Sequence, residues 1–401
     1  MKEVGRGYAN SIKFVANLKR SYDDQYRLNG MKQGNTIYMR LPQRFVPTDG
    51  QAYQPQALYD ALVPITLSNQ KGVHFGYSSA QATTELEDIR KRYINPAANR
   101  LANSADNLAY QSTYRDIWNA VGVPGVTPSA TLTFLQAGVK LTDGSAPMDG
   151  RIAVMDALAA ATVANTASTL FNPTEYISAS NRRGRFDGKL LGIDEWYVDS
   201  SRAVQTTGTF TTSTPLVKGA GQTGSTIDID GWASGGAFLK KGDRFTIAGV
   251  NSVNPESYVD NGRLQVFVVT ADYNDTTGDM AALPISPSII TSGQLQTVTN
   301  SPANDAVVTV FGATSASSGT LATTTSPQTI VFHEDFAAFV MVDLEEPNGG
   351  AKSTYVRSKE WGFSIRFAEQ WSGLNDQNMN RLEFLAGAAT LQPRLACIIY
   401  G

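Results

Sequence analysis

Residues 219–230 read GAGQTGSTIDID. The first six match the G-x-G-x-x-G string of dinucleotide-binding proteins, in which a helix must follow so that its N-terminus can hold the pyrophosphate. Here residues 225–230 alternate between polar and apolar side chains, with the period of a β-strand. The stretch therefore predicts a glycine-rich hairpin loop and disfavours nucleotide binding.

The surrounding segment, 205–327, is rich in Thr, Ser, Gly and Asp and shows no helical pattern. Strand-like stretches recur between turn residues, at Thr226–Asp230, Arg244–Ala248, Leu264–Thr270, Ala281–Ile285, Gln294–Val298 and Ala306–Phe311. Short strands separated by turns predict an antiparallel β-barrel or sandwich. An α/β element precedes the segment and an apolar strand follows it, so we expect a domain inserted into another domain.

The N-terminal part predicts an arm followed by a long hairpin. Residues 1–32 are polar and mixed in charge, and a partly helical arm is expected there. Strands are predicted at 36–41, 63–67 and 73–77, with a turn-rich tip between the first two. The tip has few core residues of its own. A hairpin without a core needs a neighbour to pack on, which favours assembly.

Helical signals follow the hairpin. Residues 84–87 form a capping box, and Asn95-Pro96 starts a helix that can run to Val121 with Gly122 as its stop. Such a helix, of about 26 residues, would span roughly 39 Å. Further helices are expected at 129–141 and 157–170 and just after 172–173. Further strands are expected at 151–155, 190–198, 329–344, 361–367 and 395–399. The chain is thus predicted to be α+β.

The amino-acid composition and net charge limit the kinds of function that this chain can be expected to have. Hydrophobic residues make up 42% of the 401 residues and charged residues only 17%. Burial of much of the surface in a large assembly would explain this low share of charged residues. A β-protein rich in Thr and Gly would explain it equally well. The net charge of −3 does not indicate bulk nucleic-acid binding. Residues 1–124 carry 15 basic and 10 acidic residues, and 205–327 carry 5 and 9. Different partners or merely different solvated faces would account for this asymmetry.

The sequence predicts no catalytic, cofactor-binding or metal-binding residue, and hence no enzyme. Each candidate has a simpler structural reading: His74 and His333 as strand residues, Cys397 as a core residue, and Asp272, Asn274, Asp275 and Asp279 as a solvated loop rather than a calcium site. Phosphate contact or ordinary surface charge would account for the basic residues around the hairpin and first helix: Arg40, Arg44, Lys71, Arg90, Lys91, Arg92 and Arg100. No signal peptide and no membrane span are expected.

Six stretches, in the right order along nearly the whole chain, resemble the coat proteins of short-tailed bacteriophages of the P22 type. They are Gly34–Pro42, Leu67–Tyr77, Gly188–Val198, Lys241–Val250, Phe332–Phe336 and Arg381–Cys397. Leu385 stands where the family has Tyr before Ala386-Gly387. Each stretch alone is a weak signal, and together they are fairly specific.

The resemblance implies a major capsid protein with the Hong Kong 97-type capsid fold and an inserted antiparallel β-barrel. It implies an N-terminal arm at 1–32, an extended β-hairpin loop at 33–78, a peripheral domain with a spine helix at 79–127 and 352–401, an axial domain at 128–204 and 328–351, and the insert at 205–327.

The implied partners are further copies of the chain, as pentamers and hexamers of an icosahedral shell. They also include a scaffolding protein during assembly, a portal protein at one vertex, packaged double-stranded DNA held non-specifically, and in some relatives decoration proteins. The implied location is the virion capsid, assembled in the cytoplasm of the bacterial host. The alternatives are a β-rich carbohydrate-binding or fibre-like virion protein, or an enzyme with an unrecognised site.

Overall fold

The fold was analysed in a computed structural model. The structure describes residues 12–19, 35–47, 50, 53, 55–59, 61–84, 90–170, 191–199, 203–233, 237–315, 319–347, 352–358, 363–374 and 376–401. Its α-helices are α1 (Ser79–Thr84), α2 (Asn95–Thr113), α3 (Thr131–Asp143) and α4 (Ala157–Leu170). No helix in these ranges is both long and apolar enough to cross a membrane.

Strands make up most of the regular structure. The first group is β1 (Thr36–Arg40), β2 (Leu62–Thr66), β3 (Asn69–Ser78), β4 (Ala120–Val121), β5 (Arg151–Met155), β6 (Glu195–Val198), β7 (Val204–Thr206), β8 (Thr209–Ser213), β9 (Leu216–Val217), β10 (Gly224–Asp230), β11 (Ala237–Leu239) and β12 (Arg244–Val253). The second is β13 (Asp260–Val269), β14 (Tyr273–Asp275), β15 (Met280–Ile289), β16 (Val308–Val310), β17 (Gly319–Leu321), β18 (Thr325–His333), β19 (Ala337–Val342), β20 (Lys352–Ser358), β21 (Phe363–Ser372), β22 (Gln377–Thr390) and β23 (Ala396–Tyr400).

The chain divides into two compact units. Unit 1 comprises residues 1–41, 62–112 and 337–391. Its described strands form an antiparallel sheet in the order β19-β22-β21-β20, and β3 also pairs with the long strand β22. The pair β1–β2 places Ile37 and Ile65 opposite each other, and both pack in a cluster with Val340.

The described part of the N-terminal arm packs onto unit 1. Phe14 is fully buried and stacks on Tyr110 of α2 with ring centroids 4.0 Å apart. The Asp106 carboxylate accepts backbone N–H bonds from Lys13 at 2.7 Å and Val15 at 2.9 Å. The arm has too few residues for a core of its own, so apolar contact and a capping carboxylate fix it to the helix.

Unit 2 comprises residues 42–61, 113–336 and 392–401. One sheet runs in the order β4-β23-β18-β5-β6, with parallel pairing at β4–β23 and β5–β6. Strands β5 and β23 are buried along their whole length, as expected of strands covered on both faces. Helix α3 supplies part of this cover, with Phe134, Ala137 and Leu141 on its buried face.

The segment between β7 and β18 contains a β-barrel. Its described strands are ordered β16-β12-β13-β15-β10-β9, and all of these neighbours pair antiparallel. The two end strands also meet, because Val308 N–H donates to the Pro215 carbonyl and Val217 N–H to the Ala306 carbonyl, each at 3.0 Å. Closing a sheet in this way removes its free edges. A second sheet, β14-β11-β8-β17, lies in the same segment.

The barrel has its own hydrophobic core. Its centre is formed by fully buried side chains from several strands, including Ile229, Ile247, Phe267 and Leu283. Along β10 and β15, buried core residues such as Ile229 and Leu283 alternate with more exposed ones, as the sequence pattern predicts. The α+β class and the antiparallel β-barrel within residues 205–327 are therefore confirmed.

The predicted long helix is wrong at its C-terminal end. Helix α2 ends at Thr113, one 3-10 turn follows over Tyr114–Asp116, and Ile117 is extended. Ala120 and Val121 then pair with β23 as a short parallel strand. The helix has 19 residues, or about 29 Å. Local periodicity could not show that tertiary pairing captures the last turns.

Most other predicted elements are confirmed within a few residues. Residues 294–298 are an exception, because they form a turn in which only Val298 makes an isolated bridge, to Ser252. The short strands β8, β9, β11, β14 and β17 were not predicted. The capping box at 84–87 lies mostly, and the helix after Asn172 entirely, outside the described residues.

Candidate assembly surface

The tip of the hairpin, residues 42–61, exposes large apolar side chains. Phe45 is 57% exposed, Tyr53 91% and Leu58 74%. Side chains of this size are expensive to leave in water, since burying one is worth about 1.5–3 kcal/mol. A concentration of them on one segment is typical of a surface that another protein covers.

Two glutamines hold the arms of the tip together where the β1–β2 ladder stops. The Gln43 side chain accepts a bond from Tyr59 N–H at 3.0 Å and donates to the Tyr59 carbonyl. The Gln56 side chain does the same with the backbone of Val46, accepting at 3.0 Å. Each amide replaces one pair of ladder bonds. The Gln294 amide of the barrel segment donates to the Gln56 oxygen at 2.8 Å, which ties the tip into unit 2.

The two ends of the barrel segment run side by side. Strand β7 pairs antiparallel with the start of β18, so that Thr206 lies opposite Thr325 and Val204 opposite Pro327. An inserted domain needs its entering and leaving strands close together, and this pairing provides that.

Arg244, on β12 of the barrel, makes the buried polar attachment to the rest of unit 2. It is 1% exposed. Its Nε donates to the Ile117 carbonyl at 2.7 Å and its Nη2 to the Tyr114 carbonyl at 3.0 Å. Its Nη1 donates to the Gly242 carbonyl at 3.0 Å and the Tyr400 hydroxyl at 2.9 Å. The guanidinium thus satisfies carbonyls left free where the chain departs from helix α2.

Asp243, next to Arg244, organises the turn that presents it. Its Oδ2 accepts N–H bonds from Lys240 at 2.8 Å and Gly208 at 2.9 Å. Burial raises the pKa of Asp243 to about 6, although these bonds and the Arg244 charge oppose that rise. The sequence did not single out either residue as functional. The one signal for them is a pair of opposite charges directly before a strongly apolar strand.

In unit 1, a buried carboxylate joins strands β3, β21 and β22. Glu383 is fully buried; Arg366 Nε donates to Oε1 at 3.0 Å, and Arg381 Nε and Gln70 Nε2 donate to Oε2 at 2.7 Å each. Burial would raise the pKa of Glu383, but hydrogen bonds from Arg366 and Gln70 and the two arginine charges outweigh it. The pKa of Glu383 therefore lies below its usual value.

The lowered pKa of Glu383 predicts an acid-sensitive unit 1. A carboxyl with a folded-state pKa below its unfolded value of about 4.3 stabilises the fold above that pH, and this stabilisation is lost as the pH falls through the folded pKa. The melting temperature of unit 1 should fall below about pH 4.3. Glu383→Gln should melt lower at neutral pH and show a flatter acid limb.

Differential scanning calorimetry between pH 3 and pH 7 measures this effect, with Glu346→Gln as the control because Glu346 is exposed in the same unit. An acid limb in Glu383→Gln as steep as in the control would contradict the role of Glu383.

The remaining predicted residues occupy structural positions. Residues 219–223 lie in the loop between β9 and β10, and Gly224 begins β10, so the hairpin-loop prediction is confirmed. His74 lies in β3 and His333 ends β18, as predicted. Cys397 is fully buried in β23, and burial raises the pKa of its thiol to about 12.

The three aspartates considered, with Asn274, for a calcium site are bound by nearby residues. The Asp275 carboxylate accepts backbone N–H bonds from Thr277, Gly278 and Asp279 at 2.7–2.9 Å. Asp272 accepts from Lys241 N–H at 2.7 Å, and Asp279 pairs with Lys218. In the part of the chain that the structure describes, no group of three or more His, Cys, Asp or Glu is arranged to hold a metal ion.

Of the basic residues around the hairpin and first helix, Arg44 is half-buried. The side chains of Arg40, Lys71, Arg92 and Arg100 are exposed. Those of Arg90 and Lys91 lie outside the described residues.

Comparisons with known proteins identify the family. The sequence model described as P22 coat protein, gene protein 5, matches residues 29–400. No curated protein sequence matches significantly. Among solved structures, one described as Mycobacterium phage Che8 is 14% identical with a TM-score of 0.45, and 98% of this chain and 90% of that chain are covered.

Two other solved structures are described as phage capsids. The capsid of cyanophage P-SCSP1u has 9% identity, a TM-score of 0.44, and coverage of 96% and 89% of the two chains. The capsid of Ralstonia phage GP4 has 10% identity, a TM-score of 0.42, and coverage of 96% and 92%.

The family match covers most of the chain, from the hairpin to the last strand. It confirms the expected resemblance and decides between the shell subunit and the fibre-like or carbohydrate-binding alternative. The role is that of a major capsid protein, a structural component that associates with its own copies to form the phage shell. This chain belongs to the P22 coat protein family.

Proposed function

We propose that the chain forms pentamers and hexamers that close into an icosahedral shell around double-stranded DNA, without enzymatic activity. Family membership over residues 29–400 carries this proposal. Assembly would take place in the cytoplasm of the bacterial host, around a scaffolding protein and with a portal protein at one vertex. DNA contact on the inner face would be non-specific, consistent with the net charge of −3.

Family membership implies the Hong Kong 97-type fold, and we assign the segments accordingly. Residues 1–32 would be the arm, 33–78 the extended loop, 79–127 with 352–401 the peripheral domain, 128–204 with 328–351 the axial domain, and 205–327 the insert. We move the last strand, 396–400, to the axial domain in this scheme, because β23 lies in one sheet with β18 and β5. In such a shell many weak contacts add, and closure leaves no free edge.

The hairpin tip is the surface best suited to a neighbouring copy. Its Phe45, Tyr53 and Leu58 offer apolar area that the described part of the chain leaves exposed. The glutamine bonds keep its two arms paired in the free subunit, which lowers the entropy lost on docking.

Sedimentation velocity tests the proposed function. The purified full-length chain, mixed with its scaffolding protein, should move from slow-sedimenting subunits or capsomers into a single fast-sedimenting particle boundary. A chain that stays monomeric at every protein and scaffold concentration would overturn the proposal.

The insert should fold by itself. Residues 205–327 contain a closed barrel with its own core of buried side chains, and their ends meet in the β7–β18 pair. Expressed alone, the segment should give a β-rich circular dichroism spectrum and a cooperative melt. A disordered spectrum would show that the barrel needs the rest of the chain, with Arg244 as the first contact to examine.

A further inference from the structure

A cavity of about 80 Å³ lies within unit 2. Three basic residues from distant parts of the sequence line it: Arg44 of the hairpin tip, Lys140 of α3, and Arg394 of the turn before β23. A water molecule needs roughly 10–15 Å³ of such space. The cavity is therefore large enough for several waters or for one small polyatomic ion.

Among the described residues that line this cavity, the positive charges outnumber the negative ones. Asp143 is the one carboxylate of that described lining; its charge acts on Lys140, but its Oδ1 already accepts a bond from Arg263 at 2.7 Å. Arg394 donates to neutral acceptors, the Gln392 side-chain oxygen at 2.8 Å and the Gly144 carbonyl at 3.2 Å. Within the described part of the chain, neither the Arg44 side chain nor the Lys140 side chain has a hydrogen bond or an ion pair.

The surroundings of these three cations make their charged forms energetically unfavourable. Apolar side chains such as Trp118, Val253 and Val266 form part of the wall. Burial lowers the pKa of Arg44 and of Lys140. Burial and then the nearby Arg44 charge lower the pKa of Arg394 to about 10, against the opposing effect of Glu256. Cations held in such a place without a counterion lower stability, and a bound anion would reverse that loss.

We propose that this cavity is a binding site for a tetrahedral oxyanion of the phosphate class. The Arg44 guanidinium offers a planar pair of N–H donors that match phosphate oxygens, and the Lys140 ammonium adds rotatable donors. Arg394 adds the N–H groups that its bonds to Gln392 and Gly144 leave free. The apolar side chains of the wall lower the local polarity, which strengthens these charge-assisted bonds. A bound ion would join the hairpin tip, α3 and the last turn of unit 2. The site lies within one chain, so the proposal does not depend on shell formation.

Isothermal titration calorimetry on the full-length chain tests the proposal, with inorganic phosphate, dimethyl phosphate and acetate as probes at equal ionic strength in chloride buffer. Lys140→Met and Arg44→Met each remove one cation from the cavity. Lys71→Met, at an exposed position outside the lining, removes the same charge and is the matched control. Each cavity variant should bind phosphate about tenfold more weakly or worse, and the control should bind like the wild type.

Thermal unfolding in chloride buffer without phosphate checks that the cavity variants are folded. Because neither removed side chain has a hydrogen bond or an ion pair with the described residues, Lys140→Met and Arg44→Met should melt no lower than the wild type without phosphate, and should gain less from its addition. Tighter binding of inorganic phosphate would assign a free ion, and tighter binding of dimethyl phosphate a backbone phosphate of nucleic acid. Equal affinity for acetate, or equal phosphate affinity in the cavity variants and the control, would overturn the proposal.

Discussion

Replacing Arg244 by methionine should lower the free energy of unfolding of unit 2 by on the order of 4 kcal/mol. The side chain is almost fully buried and donates to three carbonyls and one hydroxyl. Methionine would fill much of the volume but donate nothing, so the Tyr114 and Ile117 carbonyls would stay buried without a partner. An unsatisfied buried polar group costs about 1–3 kcal/mol.

Urea titration followed by tryptophan fluorescence measures this loss. Lys241→Met is the matched control, because Lys241 lies in the same turn and its side chain, among the described residues, forms only an exposed ion pair with Asp116 at 3.3 Å. An exposed pair is worth roughly 0–1 kcal/mol. A difference of less than about 1 kcal/mol between the two variants would mean that Arg244 does not attach the barrel as described.

Deleting residues 49–59 should leave the subunit folded and prevent shell formation. The deletion removes most of the tip, including the exposed Tyr53 and Leu58, and takes no residue from either hydrophobic cluster. The circular dichroism spectrum should therefore hardly change. Assembly should fail, because every subunit would lose the same apolar contact with its neighbour. The lost binding free energy adds over all subunits of the shell.

A finer pair of variants separates the apolar surface from the shape of the tip. Tyr53→Ser with Leu58→Ser removes the exposed apolar groups, and Tyr53→Phe with Leu58→Met keeps them. The serine pair should reduce particle yield in scaffold-assisted assembly at least tenfold, since burying each side chain is worth about 1.5–3 kcal/mol. Normal yield from the serine pair would refute the docking role of the tip.

Local patterns predicted those parts of the fold that local physics determines. Strand β5 and helix α4 are found with the bounds expected from the sequence, because each is a continuous apolar or Ala-rich run. The sequence predicts a loop at the GAGQTG stretch because residues 225–230 alternate like a strand, so that no helix can follow the glycines. The structure confirms this prediction. Where one face or one period dominates, sequence reasoning succeeds.

The failures share a non-local cause. Tyr114, Ile117 and Val121 continue the helical stripe of α2, yet the chain leaves the helix to pair Ala120–Val121 with β23 and to offer carbonyls to Arg244. Both partners lie more than 120 residues away. Strands of two or three residues, such as β9, carry too little pattern to stand out.

The cavity could not be predicted for the same reason. Arg44 was noted as part of a basic region, but nothing near it in sequence points to Lys140 or Arg394. Only the fold brings the three together.

Electron microscopy of the overexpressed chain, with and without its scaffolding protein, tests the central claim most directly. We expect closed icosahedral shells of uniform size with the scaffold, and aberrant shells, capsomers or subunits without it. A uniformly monomeric or fibrous product under both conditions would contradict the assignment of this chain as a major capsid protein.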